Sequence, residues 1–197
     1  MANARPVIAQ VLHRLYLAGA EVLAANLARR LRDRYTFVFL CLDEIGPLGQ
    51  QQEGFAVVDL KRKPGVDMQV ARRIRAAVRE HHIDLLHAHQ YTPFFYASIS
   101  RGLIGSLRCK PLVLFTEHGR HYPDIRKTKR VIANRFLLRS HDRVTAVGQF
   151  SKHALTANEG INANRIEVIY NGIDPDAFNV GDAADTRAEV RREGLSS

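Results

Sequence analysis

Nine histidines occur in this chain of 197 residues, and two of the places where they gather lie where an apolar run stops. In "DLLHAHQYTPFFYA", His87 and His89 stand one residue apart at the end of such a run. In "PLVLFTEHGRHYP", Glu117, His118 and Gly119 do the same. An imidazole that titrates near neutrality, set beside a carboxylate and a permissive backbone, can move a proton or hydrogen-bond a ligand hydroxyl. A metal is the other use of such side chains. A zinc centre needs three or four converging His, Cys, Asp or Glu ligands, and His87-Ala88-His89 has no matching ligand pair, so no metal is expected. The G-x-S-x-G nucleophile elbow, the phosphate loop and the G-x-G-x-x-G fingerprint are all missing. The first apolar run is instead followed by His13-Arg14 and then by Ala18-Gly19-Ala20. A small-residue turn that opens a helix lets backbone N–H groups approach a phosphate.

These residues carry different expectations. His87 reads as an inward strand residue satisfied by a backbone partner. His89 reads as lying past the strand end, where a ligand can reach it. Glu117 either orients His118, binds an acceptor or points outward into solvent.

The elements that must position them alternate. Short apolar runs at Pro6–Leu12, Tyr35–Leu42, Phe55–Leu60, Ile83–His87, Pro111–Thr116, Arg143–Val147 and Arg165–Tyr170 read as strands. Several are continuous rather than alternating, as in strands covered on both faces. Between them Ala20–Asp33, Asp67–His82, Tyr91–Ile104, Ile125–Arg139 and Gln149–Asn158 have helical spacing. Asp67 reads as an N-cap and Gly160 as a C-cap. Such alternation predicts an α/β, Rossmann-like, doubly wound and mostly parallel sheet of about seven strands. In the order 3-2-1-4-5-6 the ligand crevice opens beyond the carboxyl ends of strands 1 and 4. The ends of strands 1, 4 and 5, with their histidines, then share one rim.

Composition narrows the class. The 46% hydrophobic and 25% charged fractions are those of a globular protein. A net charge of +9 favours anionic partners. Nucleic acid is not expected, because no interleaved aromatics or reading motif accompany the basic residues. The basic, apolar-striped segment Ile125–Arg143 is a candidate for peripheral contact with a membrane face. Cys41 and Cys109 lie in apolar runs without zinc or disulfide spacing, which points to a reducing compartment such as the cytoplasm. No leader and no run of about 18 apolar residues is present, so no spanning segment is expected.

Five landmarks in order, "AGAEVLAANLARRL", "IDLLHAHQ", "LVLFTEHG", "DRVTAVGQFSKHAL" and "IEVIYNGIDPDAF", make the chain from Val7 to Phe178 resemble the N-terminal domain of family-4 glycosyltransferases. The resemblance implies one half of a GT-B fold in a retaining enzyme. Such an enzyme moves a sugar from a nucleotide sugar to a glycan, lipid-linked or small-molecule acceptor, with no metal in the active site. It implies that His118 is the catalytic residue, beside the transferred sugar. It places Gly19 near the donor phosphate or sugar, with Ala18 where the family has a first glycine, and Gly148 where the family has a serine. It makes Asn171-Gly172-Ile173-Asp174 the passage into the hinge. With the residues read above, the candidate substrate-binding set is Ala18, Gly19, His89, Glu117, Gly119, Gly148 and Asn171. Residues 1–175 form the acceptor-side domain on this reading. Residues 176–197 are a linker or the start of a C-terminal donor domain, a further partner, which carries the family's E-x7-E carboxylates. The chain alone is then expected to be inactive. The alternatives are a stand-alone, non-catalytic module holding a phosphorylated glycan or a partner protein, and an unrelated nucleotide-binding Rossmann domain.

Overall fold

In the computed structural model, residues 5–102, 111–119 and 125–172 are described. Their order is β1 (Val7–Arg14), α1 (Gly19–Leu31), β2 (Thr36–Glu44), α2 (Pro47–Gln50), β3 (Ala56–Asp59), α3 (Met68–Glu80) and β4 (Leu85–His89). There follow α4 (Tyr91–Gly102), β5 (Leu112–Glu117), α5 (Thr128–Leu137), β6 (Arg143–Ala146), α6 (Gln149–Glu159), a 3-10 turn (Ala163–Arg165) and β7 (Ile166–Val168). The strands form one sheet in the order β3-β2-β1-β4-β5-β6-β7, and every neighbouring pair is parallel.

The continuous apolar runs are explained by cover on both faces. In β2, Val38, Leu40 and Leu42 pack with Val70, Ile74 and Phe94 from α3 and α4. The alternate residues Phe37, Phe39 and Cys41 pack with Ala24, Ala25 and Ala28 of α1 on the other side. Burial there pushes the Cys41 thiol up to about 12, with the charge of Asp59 adding to it, so this sulfur serves as a small apolar filler.

The ends of the helices follow their chemistry. Asp67 caps α3 by accepting from the Gln69 N–H at 2.9 Å. Gly160 ends α6 in the left-handed region at φ 65°, which a side chain would make costly. One ion pair stitches the far half of the sheet: Arg101 of α4 donates to both carboxylate oxygens of Asp142 at 2.6 and 2.8 Å. Their side chains are 2% and 0% exposed. Asp142 also accepts from the backbone N–H groups of Arg139 and Val113.

Some expectations change. The strand expected to close at His87 runs on to His89, and the helix expected from Ile125 begins at Thr128. The helix α2 has only four residues, too few to show a period in the sequence. The domain boundary at 175, the linker 176–197, Cys109, Arg120 and His121 lie outside the described residues.

Candidate functional site

Parallel strands whose odd and even residues face opposite helix layers decide where the histidines go. In β4, Leu86 and Ala88 join the core with α3 and α4, which turns His87 and His89 to the α1 side. Register sets His89 beside Thr116, and His87 beside Gln10 on one flank and Leu114 on the other. Four polar side chains from three strands therefore meet inside the sheet's α1 face.

They form two hydrogen-bonded chains. His87 Nε2 lies 2.8 Å from Thr116 Oγ1, which lies 2.7 Å from Thr145 Oγ1 on β6. His89 Nε2 lies 2.6 Å from Gln10 Oε1, and His89 Nδ1 lies 2.8 Å from His118 Nε2. The rings of His87 and His89 are 4.1 Å apart, and those of His89 and His118 are 5.0 Å apart. Burial holds all three rings neutral. It lowers His87 to about 3 and His118 to about 4, and puts His89 well below the ordinary histidine value. For His87 and His89 the nearby histidines add to the depression.

His118 is half-buried, just past β5, and its Nδ1 is buried without a hydrogen-bond partner among the described residues. The next residue, Gly119, takes φ 130°, a conformation that suits glycine. Its N–H points to Glu117 Oε1 at 3.4 Å.

Three expectations are corrected here. His89 does not lie past the strand end; it is 1% exposed and touches His118 rather than open space. Glu117 is not an outward, solvated carboxylate, being 2% exposed. His87 finds its partner in a threonine hydroxyl, not in the backbone.

Ala18 and Gly19 are exposed at the start of α1, and among the described residues no atom outside the local backbone lies within 4 Å of where a Gly19 Cβ would stand. Ala18 already accepts from the Val22 N–H at 2.9 Å. Gly148 caps α6 with extended backbone, where a Cβ would meet only the Tyr170 ring at 3.9 Å. Topology puts His118, the Ala18-Gly19 turn and Gly148 at carboxyl ends of strands in one parallel sheet, hence on one rim.

Asn171 follows β7, so it too lies past the carboxyl end of a strand of this sheet. It lines a trough of about 600 Å³ on the α1 face, with Leu23, Leu27, His87, Leu114 and Ile169. Gln10, Thr116 and Thr145 were missed as site residues. The available signal was a glutamine inside the otherwise apolar "PVIAQVL".

A second polar cluster flanks the rim. Asp43 accepts from Arg62 Nε at 2.6 Å and lies 3.1 Å from His13 Nδ1. Partial burial raises its carboxyl, but the hydrogen bonds from Arg62 and His13 outweigh that and hold it below the usual range. Among the described residues, no three His, Cys, Asp or Glu side chains group as metal ligands, and no helix is long and apolar enough to cross a membrane.

The family model described as Glycosyltransferase Family 4 matches residues 17–177. No curated protein matches the chain. Among solved structures, a glycosyltransferase from Rickettsia africae ESF-5 is similar at 17% identity and a TM-score of 0.74. That likeness covers 99% of this chain and 51% of the other. HepE from Anabaena in complex with UDP is similar at 18% identity and a TM-score of 0.71, over 96% of this chain and 50% of the other. The complex of HepE with UDP-glucose gives 17% and 0.70, again over 96% and 50%. The chain thus spans about half the length of these structures, whose fold it shares.

Proposed function

The chain belongs to glycosyltransferase family 4, and we propose that it is the acceptor-side half of a retaining enzyme moving a sugar from a nucleotide sugar to a glycan, lipid-linked or small-molecule acceptor. The observation that carries this reading is His118. It is fixed by His89 at the end of β5, on the rim that also holds the Ala18-Gly19 turn, and its Nδ1 has no hydrogen-bond partner among the described residues.

Sugar transfer breaks the bond between the anomeric carbon and a phosphate oxygen through an oxocarbenium-like centre, while a diphosphate departs. A cationic imidazole beside that centre would repel the developing positive charge. Neutral His118 avoids this penalty and can hydrogen-bond a sugar hydroxyl. The departing diphosphate would meet the N–H groups at the start of α1.

HepE binds UDP and UDP-glucose, so a uridine-diphosphate sugar is the first donor to test. Half coverage of the related structures, the trough beside Asn171, and the 54% and 67% exposure of Ile169 and Tyr170 support a second domain of the same polypeptide packing here. The chain alone then holds half a site and is inactive. Ile125, Ile132 and Phe136 are exposed among Arg126, Lys127, Lys129 and Arg135, which supports peripheral contact with an anionic membrane face from the cytoplasm.

The test uses the two-domain protein. His118→Ala should lower transfer from a uridine-diphosphate sugar by about 10²-fold or more, as loss of one well-aimed polar group does, with thermal stability retained. Transfer at the unchanged rate would remove His118 from the site.

A further inference from the structure

We propose that Gln10 and His89 are positioning residues which fix the proton of His118 on Nε2, so that its Nδ1 is left as a hydrogen-bond acceptor. The chain of contacts runs across three strands: Gln10 on β1, His89 on β4 and His118 just beyond β5. Gln10 turns its carbonyl oxygen to His89 at 2.6 Å, and a carbonyl can only accept. His89 Nε2 must then carry the ring proton and donate it. A neutral imidazole has one N–H and one lone pair, so His89 Nδ1 is an acceptor. The 2.8 Å contact to His118 therefore needs the proton on His118 Nε2. That leaves a lone pair on His118 Nδ1, the atom without a partner among the described residues.

The rings cannot change singly. Moving the proton of His118 to Nδ1 sets two lone pairs against each other across 2.8 Å, unless His89 changes as well and meets an N–H of Gln10 instead. Burial makes that arrangement firm. Gln10 is 0% and His89 is 1% exposed, so no solvent can relieve a mismatched pair, and an unmade buried hydrogen bond costs about 1–3 kcal/mol. Of Gln10, only the carbonyl finds a partner; its amide nitrogen has none among the described residues. One buried glutamine thus decides what chemistry the rim offers. Only a group that brings an O–H or N–H hydrogen can pair with His118 Nδ1, which is buried in this structure. A phosphate oxygen or a carboxylate, having no hydrogen to give, cannot.

The consequence for transfer rests on the reading of His118 as the centre of the site, but the test does not. Long-range ¹⁵N–¹H correlation spectra of the chain at pH 7.5, with histidine signals assigned through His89→Asn and His118→Gln, read the ring protons directly. Expected is a single Nε2–H form of both His89 and His118, with a scalar coupling between His89 Nδ1 and His118 Nε2 across the hydrogen bond. In Gln10→Met, a change close to the native length and volume, His118 should interconvert between both forms and the coupling should fall away. A wild-type His118 protonated on Nδ1 would overturn the proposal, as would a Gln10→Met spectrum identical to wild type. Should the variant not fold, the wild-type spectrum alone still decides the direction of the proton. Sugar-transfer activity enters none of these readouts, so failure here and failure of the glycosyltransferase reading are distinguishable.

Discussion

Three histidines that burial keeps neutral in the folded state make the stability of this domain fall on mild acidification, and by an amount that can be worked out. His87 and His118 are lowered to about 3 and about 4, and His89 lies well below its ordinary value. In the unfolded chain each takes a proton near pH 6.5. The folded values are depressed, so their contribution is complete above pH 6.5 and is lost as pH falls from there toward about 4. Each ring costs about 1.4 kcal/mol per pH unit within that window. Between pH 7.5 and pH 5.5 three rings together cost about 4 kcal/mol, a large part of the roughly 5–15 kcal/mol that holds a domain folded. The melting temperature should fall by about 8–16 °C over the same interval. Asp43 and Asp67, carboxylates held below the usual range, lose their contribution only under more acidic conditions. Urea unfolding at pH 7.5, 6.5 and 5.5 and constant ionic strength measures the slope. In His89→Gln the slope should drop by about one proton in three, whatever that variant does to absolute stability. A stability that is flat or rises from pH 7.5 to pH 5.5 would refute the neutral, sealed cluster.

Two further changes test the packing behind the site. Asp142→Ala leaves the buried Arg101 guanidinium unpaired and should cost about 3–5 kcal/mol in chemical denaturation, whereas the apolar double change Arg101→Met with Asp142→Leu should recover most of that loss. Gly160→Ala adds a Cβ 2.7 Å from Val131 Cγ1 at a residue with φ 65°, so it should cost about 1–2 kcal/mol; adding Val131→Ala should return the steric part alone, read as a partial recovery of the urea midpoint.

The fold was largely legible because its signals are local. Runs such as "YTFVFLCL" and helical stripes such as Val70, Ala71, Ile74, Ala77 and Val78 each report burial directly, and the observed sheet follows the expected 3-2-1-4-5-6 order with β7 added beyond. The caps at Asp67 and Gly160 were legible for the same reason, since a cap is settled by the few residues around it. The site was legible only in part. His118 could be picked from a carboxylate, an imidazole and a glycine in a row, but the burial of His89 and Glu117 could not. Whether a polar side chain at a strand end meets solvent or another side chain depends on the strands beside it.

The sequence by itself determined the alternation of strands and helices, the mostly parallel sheet that alternation implies, and the strand ends near which the histidines fall. It did so because apolar periodicity and turn chemistry act over a few residues. Only the tertiary structure decided that Gln10, His89 and His118 form one hydrogen-bonded chain. Those residues are far apart in sequence and share no local signal. Parallel register across β1, β4 and β5 is what brings them within bonding distance, and burial is what makes the direction of their protons matter.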